Sequence, residues 1–169
     1  ILMHEVLGHR LEGSRLLSSH EGQTFKRDLG KPILPGFLSV RDDPTLRSSA
    51  GVKTVGSYRF DDEGSPAKEA SLVDNGVLVG FLSGRAPISR RRAPGNGHAR
   101  AEYDERPISR MANLVVETDE PYSEGELMEL FREEIKQQGR PFGIMILDAE
   151  GGETATDAYN FQAFMGSIS

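Results

Sequence analysis

The chain has 169 residues, enough for one domain with a substantial core, and a net charge of -6 with a pI near 5.3, which disfavours a nucleic-acid surface because phosphate binding needs clustered cations. It has no cysteine, hence no disulfide framework, and a reducing compartment is allowed. No apolar run approaches the roughly 20 residues that span a bilayer and no signal-peptide pattern opens the chain, so a soluble protein is expected.

The first thirteen residues place His4, Glu5, His9 and Glu12 among Leu2, Met3, Val6, Leu7 and Leu11. That pattern predicts a half-buried helix running to about Leu17, and because Ile1 already lies inside it, a preceding segment is expected. Imidazoles and a carboxylate where a core helix would carry aliphatics point to a metal. Neutral imidazoles bind zinc, and a neighbouring glutamate can take a proton from water whose pKa the metal lowers, as in H-E-x-x-H peptidases. Here the histidines are five residues apart and would diverge by about 140° on a regular helix. Gly8, just before His9, is the residue that would tolerate a π-type bulge or an early helix end.

Beyond the helix, residues 18–22 break the pattern, with His20 read as a loop residue. Pro32 and Pro35 predict an extended connection over 30–36, a short strand over 37–40, and a turn at Arg41-Asp42-Asp43-Pro44. Residues 56–60 alternate as a strand that delivers Asp61, Asp62 and Glu63. Such a cluster is either a hydrated turn or a set of carboxylates near a cation or an orienting histidine. Asn75-Gly76 between two β-prone runs predicts a type I′ hairpin over 70–82. The stretch 83–109 is long, basic and rich in Gly and Pro. Arg90, Arg91 and Arg92 would either edge a substrate cleft or lie in solvent, and His98 is a ligand only by residue type.

A strand is expected over 111–117. A capping box of Ser123 and Glu126 then opens a helix that Gly139 stops, with Leu127, Leu130, Phe131 and Ile135 as the stripe that packs on a core. Residues 143–147 read as a strand, 148–152 as a turn, and 155–165 as the returning partner strand carrying Tyr159, Phe161 and Phe164. The order helix, strands, helix, strands gives an α+β domain with a twisted, mainly antiparallel β-sheet and helices laid against it.

His4-Glu5-x-x-x-His9 followed by Leu11-Glu12-Gly13 resembles the signature of the TldD branch of the TldD/PmbA metalloproteases, once labelled modulators of DNA gyrase. The resemblance extends through Asp61-Asp62-Glu63-Gly64-x-Pro66, Asn75-Gly76, Gly95-Asn96-Gly97 and Pro107-x-x-Arg110-Met111-x-Asn113. It implies that residues 1–169 are part of a C-terminal metallopeptidase domain, incomplete at its end, with an N-terminal domain upstream. It implies a cytoplasmic zinc peptidase acting on unfolded or flexible polypeptides, with His4 and His9 as ligands and Glu5 as general base. The third ligand is expected to be a cysteine outside this chain, although Glu12 could substitute by residue type. Glu12, Asp61, Asp62, Glu63, Asn96, Arg110 and Asn113 are expected to support the metal or meet substrate. A PmbA-like partner in a heterodimer, or a homodimer, is also implied. Two other classes stand beside this one: a non-catalytic peptide- or partner-binding module of the PmbA type, against which the intact His4, Glu5 and His9 argue, and a gyrase- or nucleic-acid-associated factor, which only the arginine run favours.

Overall fold

The computed structural model describes residues 2–17, 25–49, 51–88, 94–147, 149–155 and 162–168. In chain order these form α1 (Leu2–Val6), two 3-10 turns (Gly8–Leu11 and Gly13–Leu17), β1 (Leu38–Asp42), β2 (Ser48–Ser49), β3 (Val52–Lys53), β4 (Ala70–Asp74), β5 (Val77–Leu78), β6 (Ala99–Arg100), β7 (Ile108–Ser109), β8 (Leu114–Thr118), α2 (Glu124–Gln137), β9 (Ala149–Ala155) and β10 (Gln162–Ile168). The central sheet has the order β5-β4-β1-β8, and every pairing in it is antiparallel. The α+β, mainly antiparallel architecture is the one expected.

The hairpin organises that sheet. Asn75 and Gly76 take φ of 46° and 78°, the positive values a type I′ turn demands. Gly76 is further constrained because a Cβ there would meet the Leu34 carbonyl oxygen at 2.4 Å. The 30–36 connection runs extended beside β5, with the Leu78 amide donating to the Lys31 carbonyl and the Ile33 amide to that of Gly76. Leu7 and Leu11 from the first segment close over Val40, Ala70, Leu72, Val73, Leu78 and Leu82, and among the described residues these eight form the central core cluster. The segment that carries the two histidines is thus one wall of the hydrophobic interior.

Several local expectations are corrected. The first helix ends at Val6 instead of reaching Leu17, and continues as tighter 3-10 turns. Arg41 and Asp42 belong to β1, so the chain turns only at Asp43, whose side chain accepts from the Thr45 amide. Residues 56–60 form no strand because their polar groups are spent on loops. The Gly56 amide donates to Asn113, the Ser57 hydroxyl to the Leu46 carbonyl, and the Tyr58 amide to that of Pro44. Residues 143–147 are β-prone yet find no partner strand, and Ile144 and Leu147 are exposed. Residues 149–152, expected to turn, instead lie in β9, paired with β10 in the register Met165↔Gly152. Pairing overrides the weak β-propensity of Glu150, Gly151 and Gly152.

In α2 the capping box is present, with the Glu126 amide donating to the Ser123 hydroxyl and the Ser123 amide to the Glu126 carboxylate; Gly139 follows with φ of 61°. Its stripe does not reach the core, however. No residue of α2 is buried, and Phe131 and Ile135 pack against the bare backbone of Gly143. His20, Arg90, Arg91, Arg92, Asp148, Tyr159 and Phe161 lie outside the described residues.

Leu72 is fully buried and Ser71 beside it is exposed. Leu72→Ala is expected to cost about 2–5 kcal/mol by loss of contact and cavity formation, and Ser71→Ala to stay within about 0.5 kcal/mol. Urea denaturation of both variants checks the difference.

Candidate metal centre

The α-helical ladder stops after the Leu7 amide donates to the Met3 carbonyl; from there the Arg10 amide returns to Leu7 in a 3-10 turn. Interrupting the axis at Leu7 removes the divergence a straight helix would impose, and the His4 and His9 rings meet edge to face at 4.8 Å. The anticipated distortion at Gly8 is therefore an early helix end with tightening, not a π bulge. Gly8 is required for a different reason than backbone freedom. A Cβ there would lie 2.0 Å from the Met111 sulfur, so a side chain at this position would displace the Met111 thioether that packs over the segment.

Beside both rings lies Glu5, 7% exposed. One carboxylate oxygen is 3.9 Å from His4 Nε2 and the other 3.7 Å from His9 Nε2. The three donor atoms lie within 4.8 Å of one another. His4 and Glu5 line an open cleft of about 320 Å³ together with Gly151 and Gly152.

Glu12 is fully buried and explains the orientation of His9. Its Oε1 sits 2.9 Å from His9 Nδ1, and a carboxylate only accepts, so Nδ1 carries the proton and the Nε2 lone pair is left for a cation. The charge of Glu12 is balanced by Arg15, whose Nε donates to Oε2 at 2.6 Å, and by Arg110, whose Nη1 is 3.5 Å from Oε1. Main-chain bonds hold Glu12 in place: the Leu82 amide donates to Leu11 and the Gly13 amide to Leu82, in a parallel bridge of Glu12 with Leu82. Just beyond, the Ser14 amide donates to the Ser109 hydroxyl and the Ser109 amide to the Ser14 hydroxyl, both at 3.2 Å. Burial, and then the neighbouring His9, push the His4 pKa below its ordinary value, which favours the neutral imidazole a metal needs.

The other anticipated residues are placed elsewhere and hold loops. Asp61 accepts from the amides of Glu63, Ser65 and Ala99. Asp62 accepts from the Ala101 amide and from Arg100, and Glu63 from the Arg85 amide. The Asn113 side chain joins Gly56 to Asp43. Asn96 accepts from the Ser83 amide and donates to the Phe81 carbonyl, which fixes its amide orientation and turns its oxygen to His98 Nδ1 at 2.9 Å. His98 is fully buried, with Nε2 3.1 Å from Asp42, so both its nitrogens are engaged within the protein. Among the expected supporting residues, Glu12 is brought to His9 and Arg110 to Glu12. Sequence reasoning missed Arg15, although its i+3 spacing from Glu12 on a helical segment was a usable signal, and missed Asp42, for which no local signal existed.

Two imidazoles and a carboxylate suit zinc in donor type, and the Glu12 contact is the carboxylate–histidine support that zinc ligands commonly have. Among the described residues the cluster contains no further histidine and no cysteine.

Residues 1–166 match the PmbA/TldA metallopeptidase C-terminal domain, and the chain belongs to that family. It is 31% identical over 162 residues to a metalloprotease of Methanocaldococcus jannaschii, covering 96% of this chain and 32% of that protein. It is 29% identical over 158 residues to a zinc metalloprotease TldD homologue of Saccharolobus solfataricus, covering 93% of this chain and 32% of that protein. The chain thus spans about a third of the length of these curated relatives. In fold it resembles a Thermotoga maritima protein described as a modulator of a DNA gyrase, with a TM-score of 0.65, 20% identity, and coverage of 99% of this chain and 36% of that one.

Replacing Glu12 by Gln removes the charge that holds the Nδ1 proton of His9. Zinc affinity, measured by competition with a chromophoric chelator, is expected to fall by about 10–100-fold.

Proposed function

We propose that this chain is the catalytic part of a zinc metallopeptidase that hydrolyses peptide bonds in unfolded or flexible polypeptides. The observation that carries this is the convergence of His4, Glu5 and His9 with Glu12 behind His9 Nδ1. His4 and His9 would hold the ion, His9 through the Nε2 that its Glu12 contact leaves unprotonated. The chemistry zinc supplies when bound is Lewis-acid activation of a water and of the scissile carbonyl. Glu5 is the general base: it takes the proton of the attacking water and delivers it to the departing amine. Its burial beside two imidazoles suits that shuttle, because the carboxylate is held next to the residues that would bind the ion. Glu12 keeps His9 in the tautomer that exposes Nε2.

A zinc with an open position ordinarily has three protein ligands, and the third is assigned to a cysteine outside this chain. The domain would work beside the N-terminal domain of the same protein, in the cytoplasm, paired with a PmbA-like subunit or a second copy. Among the described residues the outer side of β8 is unpaired. It suits an extended peptide added as a further strand, with main-chain contacts that tolerate many sequences. A proline on that outer side should weaken peptide binding while the sheet stays intact.

The test compares the full-length protein with its Glu5→Gln variant, with and without the partner, for zinc content and casein hydrolysis. Zinc should be retained in both while the variant loses about 10²–10⁴-fold in rate, and a chelator should abolish the activity of the unmodified protein. Activity that resists the chelator would exclude the metal mechanism. Absence of zinc and of hydrolysis in every pairing would favour a non-catalytic binding module.

A further inference from the structure

Strand β9 passes the metal centre at a glycine pair. Gly151 has φ of 70°, a conformation that favours glycine and turns the strand just before Gly152. Gly152 is fixed in register opposite Met165 of β10. A methyl built on the Gly152 Cα would lie 2.7 Å from Glu5 Cγ, 3.2 Å from its Cδ and 3.4 Å from Oε1. The side chain of Glu5 therefore lies directly against the β9 main chain. The closest of these approaches is made by a methylene in the middle of the Glu5 side chain, so a methyl at 152 cannot be accommodated by a small swing of the carboxylate alone.

We propose that Gly152 is a positioning residue for Glu5: its bare Cα is the wall that keeps the carboxylate beside Nε2 of His4 and of His9. A glutamate has three rotatable side-chain bonds, and close packing against a bare main chain restricts them. The β9 backbone lies on one side of the Glu5 side chain and the two imidazoles on the other. Glycine is needed because a side chain here would occupy the volume that the Glu5 methylene fills. Nothing in the His4, Glu5, His9 motif encodes this contact, which comes from a strand almost 150 residues further along the chain.

This assignment rests on the metallopeptidase function proposed above, and the experiment separates the two. In the full-length protein Gly152→Ala should retain zinc and substrate KM while kcat falls about 10²-fold, the scale of a 1 Å misplacement of a catalytic group. Gly125→Ala, in α2 where an added methyl meets nothing, should leave kcat unchanged. In a Glu5→Gln background Gly152→Ala should cost nothing further. Full kcat in Gly152→Ala, or an equal additional loss in the Glu5→Gln background, overturns the proposal while leaving the peptidase function standing. If Gly152→Ala lowers the thermal midpoint or zinc content, the Glu5→Ala, Gly152→Ala pair should restore both to those of Glu5→Ala, because the clashing methylene is gone. Failure of that rescue also overturns it. An unmodified protein without zinc or hydrolysis would instead sink the peptidase function itself.

Discussion

Burying the Glu12 carboxylate is the constraint on which the site depends. A carboxylate with no exposure must be matched by donors, and here His9, Arg15 and Arg110 supply them from three places in the sequence. Satisfying that one charge sets the tautomer and the rotation of His9 and draws the segment that carries Arg110 toward the first helix. It also holds the 3-10 turns against Leu82, whose main-chain bonds flank Glu12 on both sides. The core reinforces the arrangement, since Leu7 and Leu11 alternate with the functional residues on the same short segment and are anchored over the sheet. Stability and site geometry are therefore coupled: the turns that bury the leucines are the turns that aim the imidazoles.

A second polar network, away from the histidine pair, holds the loops. Asp42 in β1 accepts from the amides of Ala112 and Asn113 and meets His98, which is braced by Asn96. Asp61 gathers three amides from the loop around it. Residue types that suggest metal or substrate chemistry here do structural work, because loops that cross a core edge have amides that need acceptors, and a short carboxylate supplies several at once. The long 83–109 stretch is ordered in the parts described by this means, with β6 and β7 pairing across it.

The edges of the molecule carry a different lesson. The exposed apolar side chains of 142–147 and of α2 contrast with the closed interior under the hairpin. A chain that spans about a third of its relatives' length need not bury all of its apolar surface within itself. The expectation that α2 packs on the core failed because a helical stripe states only that one face is apolar. It does not state which surface receives that face.

By itself the sequence determined features whose cause is local. Asn75-Gly76 gave the hairpin because few residue pairs accept two positive φ values, and Ser123 with Glu126 gave the helix start because a side chain three residues away can cap the amides it faces. The His4, Glu5, His9 spacing, together with Gly8, was enough to identify the candidate site and to require a break in the helix. What only the tertiary structure decided depends on groups far apart in the chain. The packing of Met111 beside Gly8 was settled there, and the role of Glu12 followed from Arg110 and Leu82 closing around it. The dissolution of the 56–60 strand followed from Asn113 taking its amide, and the placement of Gly152 against Glu5 from the pairing of β9 with β10. Local torsional preference is written residue by residue, whereas the satisfaction of a buried charge or the approach of two backbones is settled only when distant segments compete for the same space.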